Sequence, residues 1–200
     1  MGILSHPHAF LSRARSFARG ALSPLPASGG LWLAAALTVA GQAPLPSEYQ
    51  VKAAFLYNFA KFVEWPTNAF AAPDTPILIG VFGENPFGHD LEATVAGKII
   101  NGRQLEVRAV KTLAEARRCH ILFITAEERR RRGDLLNSLQ SASVLTVSEG
   151  AHPGAGDGVM IDLFMERKRV LFYIDNEAAQ RAGLKISPRL LKLSRRSSND

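Results

Sequence analysis

Between residues 77 and 147 the chain alternates short unbroken apolar runs with stretches of helical spacing. The run Ile77-Leu78-Ile79-Gly80-Val81-Phe82 lies between Pro76 and Gly83, and Ile121-Leu122-Phe123-Ile124 and Val144-Leu145-Thr146-Val147 share its character. Runs of that length, rich in branched residues, suit central strands covered on both faces. Helical spacing separates them over 87–95, 113–118 and 127–139. Leu105, Val107 and Ala109 alternate with polar neighbours, as a half-buried strand does. Strand and helix in alternation predict a mainly parallel sheet flanked by helices.

Upstream, Ser47 is a candidate N-cap for a helix predicted from Glu48 to Trp65 and stopped by Pro66. Val51, Ala54, Phe55, Phe62 and Trp65 recur at three- and four-residue steps and mark its inward face. Leu56, Phe59 and Val63 widen the apolar surface, which predicts cover on more than one side. Asn58 projects from the middle of the marked face, and a buried carboxamide requires a partner, either nearby backbone or an interface. Downstream, the Gly-rich stretch Gly150 to Gly158 leads into Val159–Phe164, and the charged turn Glu166-Arg167-Lys168-Arg169 into Val170–Ile174. That pattern predicts an antiparallel hairpin. Asp175 or Asn176 caps a short helix ending at Gly183, with Leu184 folded back over its end, and Ser187-Pro188 opens a last helix carrying Leu190, Leu191 and Leu193. The predicted fold is a single α/β domain over 44–200, with a mainly parallel central sheet, a C-terminal antiparallel hairpin and flanking helices.

The first 43 residues have a different character. Arg13, Arg15 and Arg19 precede the apolar run Leu31–Ala40, and Gly41 and Ala43 offer small residues for cleavage. This is the layout of a secretory signal peptide; the run is too short for a bilayer of about 30 Å. The expected destination is the periplasm. Cleavage lowers the net charge from +6 to about +3, so much of the basicity belongs to the leader. The one dense basic run, Arg129 to Arg132, sits between Glu127-Glu128 and Asp134 within a helical pattern and has no interleaved aromatics. It reads as a solvated helix face, and no nucleic-acid partner is expected. Cys119 is the chain's single cysteine, which excludes an internal disulfide.

Catalytic signatures are absent from this sequence: it has no phosphate-binding loop, dinucleotide fingerprint or nucleophile elbow. His89, His120 and His152 stand singly and read as surface or capping residues, so neither a metal nor a cofactor is expected. The stretch Gly83 to Gly88 reads as a tight strand-to-helix turn with Asn85 as cap and Pro86 first in the helix. The free N–H groups of a helix start would also suit an anionic ligand, placing Glu84, Asn85 and Phe87 around it.

The segment from Glu48 through Tyr57-Asn58-Phe59 to Trp65-Pro66 resembles the opening signature of the YfiR-like family of bacterial periplasmic proteins. The resemblance continues through Gly83–Gly88, Gly97-Lys98, Gly102-Arg103, Cys119–Ile124 and Val144–Val147, and closes on Ala182–Ser187. It implies a small α/β domain, often a homodimer. It also implies a regulator that restrains an inner-membrane diguanylate cyclase, with an outer-membrane lipoprotein as antagonist. This chain departs from the pattern in its unpaired Cys119 and in Asp175-Asn176, where relatives more often carry Asn and an apolar residue.

Two classes of function follow. One is a non-enzymatic regulator that binds an inner-membrane signalling protein, a diguanylate cyclase or a sensor kinase, and so acts on cyclic di-GMP and biofilm formation. The other is a periplasmic sensor of a small molecule. For the first, an apolar hairpin face bounded by charges marks a binding surface. Its expected residues are Phe172, Tyr173, Ile174, Asn176, Glu177 and Lys185.

Overall fold

The computed structural model describes residues 45–131, 133–150 and 158–195. The segment expected to be a signal peptide, Arg132, His152 with the interior of the Gly-rich loop, and the tail beyond Arg195 lie outside them.

Helix α1 (Glu48–Phe62) begins at Ser47, whose hydroxyl accepts from the Gln50 N–H while the Gln50 side chain accepts from the Ser47 N–H. This reciprocal box satisfies two otherwise orphaned donors. The helix ends three residues earlier than expected. Val63–Glu64 forms strand β1 and pairs antiparallel with β9 (Lys185–Ile186). Residues with helical spacing were drawn into a sheet because a distant segment offered them backbone partners.

The inward face of α1 also differs from the expected one. Lys52, Ala53, Leu56, Phe59 and Ala60 are buried, whereas Ala54 is exposed and Val51, Phe55, Phe62 and Trp65 are only half-buried. A helix apolar nearly all round has no single stripe to select, so the sheet decided which side it took. Asn58, half-buried, donates to the Ala54 carbonyl at 2.9 Å, one turn back.

The main sheet contains β2 (Ile77–Phe82), β3 (Ile99–Ile100), β4 (Arg103–Val110), β5 (Ile121–Ile124), β6 (Leu145–Glu149), β7 (Ile161–Glu166) and β8 (Arg169–Ile174), in the order β3-β4-β2-β5-β6-β7-β8. Strands β4, β2, β5, β6 and β7 run parallel, and β3 and β8 are antiparallel edges. The expected hairpin is present, but β7 joins β6 in parallel, so only β8 reverses direction. In β4 the expected alternation ends early: Leu105 is buried, Val107 half-buried and Ala109 exposed, while Val110 turns into the opposite core.

Two cores sandwich this sheet. On one face Leu56, Phe59, Ile79, Val81, Phe123, Val147, Ile161 and Phe172 pack with α1, α2 (Asp90–Val95) and α6 (Asn176–Arg181). On the other, Phe82, Leu122, Ile124 and Val144 pack with α3 (Leu113–Ala116) and α5 (Gly133–Leu139). The predicted helix over 127–139 is two helices, α4 (Ala126–Arg131) and α5. The predicted helix from Phe87 begins only at Asp90, because Pro86 to His89 forms a separate turn. At the end of α6, Gly183 takes φ +76° and the Leu184 N–H reaches back to the Ala179 carbonyl at 2.9 Å. That is a left-handed cap which glycine adopts without a Cβ penalty. Helix α7 (Pro188–Leu191) opens with Pro188 after the Ser187 cap; Leu190 is buried and Leu193 exposed.

His120 is buried, not a surface residue. Its Nδ1 accepts from the Leu78 N–H at 3.0 Å, so the ring proton lies on Nε2, 3.2 Å from the Ala69 carbonyl it donates to. The ring stacks on Phe70 at 4.3 Å, and the Arg103 guanidinium also lies over Phe70. Burial pushes the imidazole pKa down, with the Ala69 hydrogen bond opposing and the Arg103 charge assisting. Cys119, beside it, is buried, and burial pushes its thiol up to about 12.

Candidate functional site

The hairpin and α6 hold the residues expected to meet a partner, and the structure divides them. Phe172 packs edge-on against Phe55 and Phe59 at 5.3 and 5.4 Å, and Ile174 lies in the same core. These two side chains are structural, because the face they occupy is roofed by α1 and α6. Tyr173 points to the other face of the sheet and is half-buried, and the segment 194–195 runs beside it, with the Arg195 N–H on the Phe172 carbonyl. Asn176 is half-buried at the start of α6, behind the Asp175 cap, whose carboxylate accepts from the Ala178 N–H. Glu177 and Lys185 are exposed on α6 and β9, elements joined by the Leu184 N–H on Ala179.

Accessible apolar surface lies closer to the hairpin tip. The cross-strand pairs are Phe164 with Leu171 and Met165 with Val170; Met165 is 46% exposed and the other three are half-buried. The turn beyond them, Glu166 to Arg169, is wholly exposed. Arg167 and Lys168 adopt φ of +49° and +64°. Two-residue hairpin turns need this conformation and normally place Gly or Asn there; a longer side chain costs about 1 kcal/mol or more at each position. A basic tip is therefore held at a conformational cost that Asn-Gly would avoid.

The turn after β2 is organised for itself. Asn85 accepts from the Phe87 N–H at 2.9 Å and donates to the Gly88 carbonyl at 3.1 Å. Phe87 is buried, edge-on to Tyr49 and Phe123. Glu84 is exposed and shares with Glu128 and Lys111 the rim of a cleft of about 340 Å³. Two carboxylates to one ammonium give an anion no advantage there. The helix that follows already carries Asp90 and Glu92 in its first turn.

Sequence reasoning missed a seam of buried charge at the carboxyl end of β6 and the adjoining start of β7. Lys52, 3% exposed, pairs with Glu149 and with Glu48, the latter at 2.6 Å. Burial opposes its charge, but the hydrogen bonds to Glu149 and Glu48 outweigh burial and hold its pKa above the usual lysine value. The Tyr49 hydroxyl donates to Glu149 at 3.4 Å, and burial and the nearby carboxylate raise its pKa. Arg129 and Asp162 pair at 2.7 Å, both largely buried. Gly150 lies against them: a Cβ there would come within 2.8 Å of the Arg129 Nη1. The basic run is thus not uniformly solvated, since Arg129 turns inward. The available signal for Lys52 was its place one step from Ala53 and four from Leu56. Arg129 had none, as its partner lies 33 residues away. Among the described residues no group of three or more His, Cys, Asp or Glu is arranged to hold a metal ion.

Fold and site together define a seven-stranded, mainly parallel α/β domain with paired buried charges and a projecting basic hairpin. The chain belongs to the YfiR/HmsC-like family, whose sequence profile matches residues 49–195. Members of that family are regulatory, non-catalytic proteins of the periplasm. None of the curated proteins compared with the chain matches it. Among the described residues no helix is long and apolar enough to cross a membrane.

Proposed function

We propose that this protein is a periplasmic regulator that binds an inner-membrane diguanylate cyclase and holds it in an inactive state, with an outer-membrane lipoprotein as its antagonist. Family membership supports the regulatory role. The observation that carries the binding surface is the hairpin tip, where Arg167 and Lys168 occupy the left-handed region beside the exposed Met165. Local strain retained at an exposed, apolar-flanked turn suits a contact whose binding energy offsets it. Tyr173, Asn176, Glu177 and Lys185 extend the surface, whereas Phe172 and Ile174 support it from within. Preferential binding to the inactive cyclase is sufficient for restraint.

Deleting the gene is expected to raise cyclic di-GMP and biofilm formation. Met165→Glu, checked for unchanged melting, is expected to reproduce the deletion. Unchanged cyclic di-GMP in a deletion strain that expresses an inner-membrane diguanylate cyclase with a periplasmic domain would show the reading to be wrong.

A further inference from the structure

At the amino ends of β5 and β6 the fold leaves a cavity of about 410 Å³. Small-molecule sites typically measure roughly 300–1,000 Å³. Three segments distant in sequence meet around it: the short helical turn Thr67–Ala69, the turn Arg117-Arg118-Cys119 before β5, and the end of α5 with the residues up to Ser143. Its charged lining consists of Arg117 and Arg118, and among the described residues no carboxylate lines it.

Acceptors around the cavity are already taken, and donors are left over. The Ala69 carbonyl accepts from the His120 Nε2 at 3.2 Å, and the Ser138 carbonyl accepts from the Arg117 Nη2 at 3.2 Å. The Ser138 and Ser143 hydroxyls donate to the carbonyls of Asp134 and Ala182, at 2.8 and 3.2 Å. Arg117 is thereby held in place with most of its N–H donors unused. Arg118 is exposed, and among the described residues its side chain has neither a hydrogen bond nor an ion pair. The side chains of Asn68 and Ser141, also exposed, make no hydrogen bond there either. Arg108, Arg181 and Arg195, by contrast, each pair with a carboxylate. The acid nearest to Arg118 in sequence, Glu115, is committed elsewhere: its carboxylate accepts from the Lys111 and Thr112 N–H groups at 2.8 and 3.1 Å.

We infer that this cavity binds a small polar molecule carrying at least two anionic groups, phosphoryl or carboxylate. Arg118 is its main contact, Arg117 its second, and the Asn68 amide and Ser141 hydroxyl donate from the rim. A planar guanidinium matches the paired oxygens of either group with two parallel hydrogen bonds. Two such forks side by side, with no acid to neutralise them, suit a ligand of more than one charge. The hairpin tip lies beyond the carboxyl end of β7, at the other end of the parallel strands. The site therefore does not rest on the proposed cyclase contact there.

The test is isothermal titration calorimetry on the purified protein, with pyrophosphate and citrate as probes at a fixed ionic strength of about 0.15 M. At least one probe is expected to bind with a Kd below about 1 mM. Binding of pyrophosphate alone assigns a phosphoryl ligand, and binding of citrate alone a carboxylate one. Arg118→Gln removes a charge-assisted fork that supports nothing else in the fold. It is expected to raise the Kd about ten- to hundredfold at an unchanged melting temperature. Ser141→Glu sets a carboxylate on the rim without touching an arginine and is expected to weaken binding about tenfold or more. Lys98→Gln removes an exposed charge from the turn between α2 and β3 and is expected to leave the Kd within about twofold. A Kd above about 1 mM for both probes, indifference to Arg118→Gln or to Ser141→Glu, or an equal loss in Lys98→Gln would each overturn the proposal.

Discussion

Replacing Lys52 by methionine is the most direct probe of the buried charge. Methionine fills nearly the same space, so packing is preserved while the ammonium is lost. Glu149, 16% exposed, then keeps only the long Tyr49 hydrogen bond, and Glu48, 40% exposed, turns to water. Removing one member of a buried pair costs about 3–5 kcal/mol, chiefly by stranding the other charge. The residual exposure of Glu149 puts Lys52→Met at the lower end, about 3 kcal/mol, or a fall of about 6–12 °C in melting temperature for a domain near 150 residues. Glu149→Leu strands Lys52 less, because Glu48 stays at 2.6 Å, and a cost of about 1–2 kcal/mol is expected. The double variant Lys52→Met, Glu149→Leu leaves no orphaned charge and is expected within about 1 kcal/mol of wild type. Urea unfolding followed by circular dichroism measures all four proteins, with unchanged slopes confirming a common unfolded state. A Lys52→Met stability within about 0.5 kcal/mol of wild type would mean that water already reaches the pair. A double variant as unstable as Lys52→Met would assign the loss to packing instead of charge, and either result refutes the reasoning.

Acidification should act through His120. Its pKa is depressed by burial, so its contribution is complete above the unfolded value of 6.5 and is lost as pH falls through the lower, folded value. The melting temperature should therefore drop below about pH 6.5, and His120→Gln should flatten that part of the profile; an unchanged slope would count against it. Cys119→Ser is expected to shift the melting temperature by only a few degrees, and the native thiol, at about 12, should resist a thiol-titrating reagent at pH 8 until the protein unfolds. Gly80→Ala is expected to cost about 1–3 kcal/mol, since the new Cβ would lie 2.5 Å from the Cys119 Sγ and 2.7 Å from the Val110 Cγ2. Export predicts a mature N-terminus between residues 40 and 44 in the periplasmic fraction, and mass spectrometry recovering intact residues 1–40 there would contradict it.

Local patterns in the sequence determined most of the framework. The apolar runs at 77–82, 121–124 and 144–147 became central parallel strands because unbroken branched residues fit only a sheet covered on both faces. Ser47, Asp175, Ser187 and Gly183 act where they stand, since caps and left-handed turns depend on neighbours a few residues away. Tertiary structure decided everything in which such neighbours were ambiguous. It selected the Lys52–Ala53–Leu56–Phe59 side of an all-round apolar helix, and it drew Val63 and Glu64 out of that helix to pair with Lys185 and Ile186. It also turned Arg129 inward from the basic run, because that position faces Asp162. Within the expected partner surface it sent Phe172 and Ile174 to the core, and it left Met165 exposed nearer the hairpin tip. Strand alternation says that two faces exist, but which of them is roofed depends on where α1 and α6 come to rest. The Lys52–Glu149 pair joins residues 97 apart, and no periodicity within either segment encodes a partner at that distance.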